Sequence, residues 1–285
     1  MWSRAIKNKS WLWLTVVLTA GPILLGIGYA FAYSFGLTGL LNDGFTIEHW
    51  QKTVTYSPFW KSLIFSFVIA IFTVFIACSL ALGIALRFRH IWKQHQALLY
   101  LPLTIPSIVM AFFVFQLLSK AGFLSRVLNR IGITAGIEGF PDMVNDNYGL
   151  GILFAHICMA TPFFSILFLQ VYQNERIQLF NQVSATLGAS KMDGLRKVVM
   201  PIILQKSFPA IILYFIFSFG SYEIPLLLGS QSPQMISVFT IQKLQRYNLA
   251  DIPIAYVSCI IYTIFIAAIV ILSSRLLMHQ QMKKG

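Results

Sequence analysis

Few residues in this 285-residue chain have the type and spacing to do chemistry. Glu223 is the one acid that interrupts an apolar stretch of membrane-spanning length. An ionisable group placed there as a rule faces a cavity or a partner, because a carboxylate in hydrocarbon is costly. Counted from Lys206 at about 1.5 Å per helical residue, it lies about 25 Å along, near one interface rather than the midplane. Two readings of it stand. It lines a polar path and favours a cation, or it reaches interfacial water and caps the broken backbone before Pro225. His156 has only apolar neighbours and no acid in its stretch, and reads as a neutral, hydrogen-bonded packing residue rather than a proton relay. Cys78, Cys158 and Cys259 are far apart, each inside an apolar run, with no CxxC pair and no His/Cys metal spacing. They read as buried thiols, and no metal site is expected. The chain holds no phosphate-binding GxxxxGK[S/T], no HExxH and no GxSxG, so it is not expected to bind ATP by itself or to be an enzyme.

One polar stretch is distinctive. Gln182-Val183-Ser184-Ala185-Thr186-Leu187-Gly188-Ala189-Ser190 runs into Lys191-Met192-Asp193-Gly194-Leu195-Arg196-Lys197-Val198-Val199-Met200-Pro201. The pattern predicts two short helices, broken at Gly188 and stopped by Pro201. Phe180, Val183 and Leu187 fall on one face of the first. A glycine at the bend permits a left-handed backbone or the close approach of another chain. A docking element and a plain solvated helical hairpin both fit these residues.

The elements that carry these groups follow from composition. Hydrophobic residues make up 57% of the chain and charged residues 11%. A soluble domain averages about 25% charged residues, and a chain this apolar and aromatic does not stay disordered. Apolar runs of about 20 residues cross a bilayer as helices, the closed structure that hides backbone polar groups. Six spans are expected, near 11–33, 62–87, 97–118, 149–172, 208–228 and 253–274, with helix breaks at Pro102, Pro106, Pro162 and Pro225. The first is too long for the core of a signal peptide and reads as an uncleaved anchor. The expected layout is therefore a cytoplasmic N-terminus over 1–10, a six-helix domain over 11–274 containing a cytoplasmic loop at 175–206, and a tail over 275–285.

The net charge of +12 divides by side. The amino terminus, second loop, fourth loop and tail carry fourteen Lys and Arg against the acids Glu175 and Asp193. The other side has seven basic and seven acidic residues. The positive-inside rule thus places both termini in the cytoplasm. Basic residues shared among four short flanking segments also exclude a nucleic-acid partner. On the opposite side, Phe123, Leu124, Val127, Leu128 and Ile131 recur at helical spacing beside Arg126 and Arg130. A short amphipathic helix at the membrane surface fits this pattern, and packing against neighbouring loops fits it equally.

The loop at 182–201 resembles the EAA signature of permease subunits of type I binding-protein-dependent ABC importers. Gly188, Val198, Met200 and Pro201 fall on its spacing. Gln182, Val183 and Ser184 stand in place of its Glu-Ala-Ala, and Leu195 stands where Phe is common. Leu101-Pro102-Leu103-Thr104-Ile105-Pro106, Ala160-Thr161-Pro162-Phe163 and Gly220-Ser221-Tyr222-Glu223-Ile224-Pro225 are also family-like. Together they are most similar to the branch of permeases for polyamines, thiamine, ferric iron and aminoethylphosphonate. The resemblance implies an all-α membrane protein of MetI-like, six-helix architecture in a bacterial inner membrane. It implies a cytoplasmic ATPase dimer holding the ATP and Mg, a second permease subunit (a heterodimer rather than a homodimer) and an extracytoplasmic solute-binding protein, with no cofactor on this chain. Gln182, Ser184, Leu187, Gly188, Ala189, Ser190, Leu195 and Pro201 would couple to the ATPase. Glu223, Tyr222, Phe219, Pro106, Ser107 and Phe163 would border a path for a small polar, polyamine-like solute. An ion-driven secondary transporter would carry more intramembrane charge and inverted repeats, and a membrane enzyme would need the catalytic motifs that are lacking.

Overall fold

The computed structural model describes residues 2–39, 44–87, 96–134, 136 and 138–282, and its regular structure there is entirely helical. Among the described residues, six stretches are long and apolar enough to cross a membrane: Trp13–Ser34, Ser57–Arg87, Ser107–Arg130, Leu150–Asn174, Met192–Phe219 and Asp251–Arg275. The chain forms two compact units, Met1–Trp60 with Phe239–Gly285, and Lys61–Val238.

In the first unit, α1 (Trp2–Ser34) packs along α13 (Asp251–Met282), with Tyr33 stacked on Tyr256 at 4.4 Å between centroids. Leu18, Leu24 and Leu25 of α1 are exposed. A short helix, α2 (Glu48–Thr55), also packs on α13. The last part of α12 (Ile236–Gln245) places Lys243 in the interior of this unit. Its ammonium bonds Asp251, the first residue of α13, at 2.9 Å and lies 5.0 Å from the Tyr56 ring centroid. A carboxylate at a helix N-terminus also suits the helix dipole.

The second unit contains most of α3 (Ser57–Arg87), then α4 (Gln96–Tyr100) and a 3₁₀ turn at Leu101–Thr104. There follow α5 (Ser107–Leu118), α6 (Phe123–Arg130), α7 (Leu150–Asn174), α8 (Ile177–Thr186) and α9 (Lys191–Gly194). A π-helical turn at Leu195–Val199 leads into α10 (Met200–Phe219), and α11 (Glu223–Leu228) completes it. Two apolar clusters hold these helices. One joins Ala77, Ala81 and Ala85 of α3 to Phe164 and Phe168 of α7 and to Ile177, Val199 and Ile203. The other joins Met110, Ala111 and Val114 of α5 to Ile152 and Ala155 of α7 and to Ile224 and Leu228 of α11. Small residues on α3 and α5 let the helices approach closely, which in lipid is what drives association.

The expected breaks at Pro106 and before Pro225 are found, and those at Pro162 and Pro201 are corrected. The span near 97–118 is not one helix. Pro106 has ψ 148 and Ile105 is extended, so α5 starts only at Ser107, because a proline disfavours the α conformation in the residue before it. The span near 208–228 is likewise two helices, α10 and α11, separated at Gly220–Tyr222. Glu223 thus opens a new short helix and does not ride on a continuous one. Pro201 does not stop the second loop helix. It lies in the first turn of α10, and the Met200 N–H reaches back to the Leu195 carbonyl, a π-type bond. A proline lacks an N–H and its ring crowds the preceding turn, so the turn widens and the helix continues. Pro162 likewise sits buried inside an unbroken α7.

Candidate functional site

The loop between α7 and α10 is anchored before it is exposed. At its base the Lys206 ammonium bonds the Glu175 carboxylate at 2.9 Å, tying α10 to the end of α7. Arg176 then takes a left-handed backbone, φ 48, which turns the chain into α8. Ile177 and Val199 are buried in the first cluster, and Leu195 packs against it. Both arms of the loop are therefore fastened to the bundle by apolar contacts.

The tip is built by two caps back to back. Gly188 has φ 85, and the Ala189 N–H donates to the Ser184 carbonyl at 3.0 Å, the 6→1 bond of a Schellman ending. No neighbouring atom lies within 4 Å of where a Gly188 Cβ would stand, so glycine is needed for its backbone and not for room. Two residues later Ser190 caps α9. Its Oγ accepts the Asp193 N–H at 3.1 Å and donates to the Asp193 carboxylate at 2.6 Å. Lys197 bonds the same carboxylate at 2.9 Å. Asp193 and Lys197 were not singled out from the sequence; the Ser-x-x-Asp spacing was the signal for the first.

The outward face of α8 is apolar. Phe180, Val183 and Leu187 are exposed by 53%, 57% and 83%. A hairpin serving only as a solvated connector would carry polar residues there. The Gln182 side chain lies outside the described residues, and Pro201 is exposed at the foot of the loop.

The second candidate region surrounds the break in the fifth span. Ile224 and Leu228 bury α11 against α5 and α7, and the Asn145 N–H donates to the Leu228 carbonyl at 2.8 Å. Ser237 Oγ donates to the Ser221 carbonyl inside the break, and Ser66 Oγ accepts the Ile236 N–H at 2.7 Å. Freed backbone groups are thus satisfied by serines of neighbouring segments, as broken membrane helices require. Glu223 is exposed, Tyr222 half-buried, and no ion pair among the described residues involves Glu223. Pro106 is exposed and Ser107 half-buried, at the break before α5. Phe219 is fully buried and stacked on Phe215, so it packs the interior and does not line an open path. Phe163 is half-buried and stacks on Tyr214 at 5.5 Å. His156 is fully buried, as expected, but neither ring nitrogen has a hydrogen-bond partner among the described residues. A cleft of about 480 Å³ between α3 and α10 is walled by Ile71, Phe75, Leu82, Leu204, Ile211 and Phe215, among others, and is too apolar to suit a polar solute.

Residues 79–281 match the family described as "Binding-protein-dependent transport system inner membrane component". The thiamine transport system permease protein ThiP of Haemophilus influenzae is 27% identical over 270 residues, 93% of this chain and 47% of ThiP. That similarity fits the branch suggested by the motifs. The chain spans less than half the length of the curated relatives it matches. A crystal structure of a bacterial ABC transporter involved in the import of the acidic polysaccharide alginate has the same fold, with TM-score 0.71 at 16% identity, covering 97% of this chain and 99% of that one. A second alginate transporter structure, in complex with a periplasmic protein bound to an alginate pentasaccharide, gives 0.68 at 17%, covering 95% and 94%. The match over 79–281, on a six-span helical chain with an exposed capped loop, makes this a multi-pass membrane protein that belongs to the binding-protein-dependent transport system inner membrane component family, the permease subunits of ABC importers.

Proposed function

We propose that this chain is one of two permease halves of an importer in a bacterial inner membrane, driven through its 182–201 loop by a cytoplasmic ATPase dimer. The observation that carries this reading is the exposed apolar face of α8, held on a loop that is itself fastened to the bundle. A force applied at Leu187 would pass through Leu195 and Val199 into α10 and α7 without bending a flexible tether. ATP and Mg would sit on the ATPase, whose closure would rock the helices between inward- and outward-open states, a rigid-body transition.

The excess of Lys and Arg beside the loop and both termini supports a cytoplasmic position for them. ThiP is long enough to hold a second domain of this size beside the matched one, which supports a second permease half, most economically a different chain. The periplasmic protein in the alginate complex supports an extracytoplasmic solute-binding partner. The solute is small and polar, and the exposed carboxylate of Glu223 favours a cation; Tyr222, Pro106 and Ser107 would share the path.

The test is co-purification of the detergent-extracted permease with its ATPase, and uptake by a variant lacking 182–201. Loss of both the ATPase and uptake is expected. Uptake that survives the deletion overturns the proposal.

A further inference from the structure

The connection after α5 builds a helix whose exposed surface is apolar on one side and cationic on the other. We infer that α6 (Phe123–Arg130) is an interfacial helix seated in the lipid headgroup layer. Phe123, Val127 and Ile131 would lie at the acyl boundary, and Arg126 and Arg130 at the lipid phosphates.

The arrangement follows from three observations. First, the helix is divided in three around its axis. Leu124 packs on the cluster that includes Val114 and Leu118, and Ser125 is buried. Phe123, Val127 and Ile131, spaced i, i+4 and i+8, are exposed, as is Ile133 in the following turn. Arg126 and Arg130 flank this apolar stripe on the side away from Leu124 and are exposed as well. A helix packed on one side, greasy on a second and basic on a third fits the bilayer boundary, where apolar side chains enter the acyl region and arginines meet phosphate.

Second, α6 is held close to the end of α5. Only four residues separate Leu118 from Phe123, five steps that reach at most about 18 Å. Gly122 makes the reversal tight, since a Cβ there would stand 2.8 Å from the carbonyl oxygens of Gln116 and Ser119. The Arg126 Nε also donates to the Gly122 carbonyl at 3.3 Å.

Third, the far side of the excursion is strapped back to the same point. Lys120 bonds Asp142 at 3.2 Å and Glu138 at 3.8 Å, and Asn129 Oδ1 accepts the Gly136 N–H at 3.1 Å. The apolar stripe thus belongs to the last third of the apolar stretch Ser107–Arg130, turned aside at the break over residues 119–122, and that closeness to the membrane-spanning helix, with the phosphate-matching arginines, selects lipid as the occupant. The inference needs only the multi-pass membrane character of the chain, not the identity of its solute or ATPase.

Spin labels at Phe123→Cys, Val127→Cys and Asn129→Cys, in a background with Cys78, Cys158 and Cys259 replaced, test this. The permease is reconstituted with its partner subunits in phosphatidylcholine/phosphatidylglycerol nanodiscs. Collision with oxygen is expected to exceed collision with a water-soluble nickel chelate several-fold at 123 and 127, and not at 129. High collision rates with both reagents at 123 and 127 would mean water. Low rates with both would mean a protein partner. Either result overturns the inference. The unaltered chain gives an independent reading: a phospholipid with a diazirine near its acyl carbonyl should crosslink to the peptide containing 123–131. Crosslinks confined to the long spans would refute an interfacial seat.

Discussion

Leu187→Ala is the most informative perturbation of the docking loop. Leu187 is 83% exposed at the end of α8, next to the Gly188 cap. Burying a leucine side chain in full contributes about 1.5–3 kcal/mol. Truncation to alanine removes most of that from any complex that covers it, about 1–2.5 kcal/mol, or about 5- to 70-fold in Kd. The same truncation removes almost nothing from the permease itself, where an exposed surface change stays within about 0.5 kcal/mol. The assay is titration of the purified ATPase against nanodisc-embedded permease, with thermal unfolding of the permease measured in parallel. The expected outcome is a weakened complex with an unchanged melting temperature. Leu187→Met, which conserves volume and apolarity, should stay close to the parent. An unchanged Kd for Leu187→Ala would refute the reasoning, because the exposed face would then not be the contact. A weakened complex accompanied by a lowered melting temperature would refute it differently, by showing that Leu187 serves the fold.

Gly188→Ala should cost about 1–2 kcal/mol at the loop tip, because its φ of 85 crowds any Cβ against the backbone even where neighbours leave room. Gly188→Asn should recover much of that loss, since asparagine tolerates the left-handed region, and coupled ATP hydrolysis would show the difference. Glu223→Gln should slow uptake of a cationic solute while leaving assembly and melting temperature intact; identical uptake kinetics would remove Glu223 from the path. Asp251→Ala strands the buried Lys243 ammonium and should destabilise the permease by about 3–5 kcal/mol in detergent unfolding. Replacing both residues together, as Lys243→Met with Asp251→Leu, should be far milder.

The helical class and the number of spans were legible because hydropathy is a local sum over about 20 residues, and lipid leaves the backbone little choice beyond a helix. The glycine at 188 was legible too, since turn chemistry is local. What proline does was only half legible. Pro106 breaks its stretch, yet Pro162 and Pro201 ride within helices. A missing hydrogen bond breaks a helix only when tertiary contacts fail to hold the two sides in line, and the burial of Phe164, Val199 and Ile203 holds them here. His156 marks the same limit. Its burial was foreseeable from its neighbours, whereas its lack of a bonding partner among the described residues depends on which helices pack around it.

For the site, the sequence by itself determined that residues 182–201 form a bent, basic, glycine-hinged loop, because residue type and spacing set caps and helical faces. Only the tertiary structure decided that the loop is fastened at Ile177, Leu195 and Val199 while Phe180, Val183 and Leu187 are left bare. The packed Ile177 and the bare Phe180 and Val183 share one short helix, and periodicity cannot tell an apolar face that packs from one that waits for a partner. The same holds for Phe219, an aromatic beside a broken span that the fold buries whole. Side-chain chemistry is written along the chain, but exposure is a property of what other segments cover, and that is settled only when the helices meet.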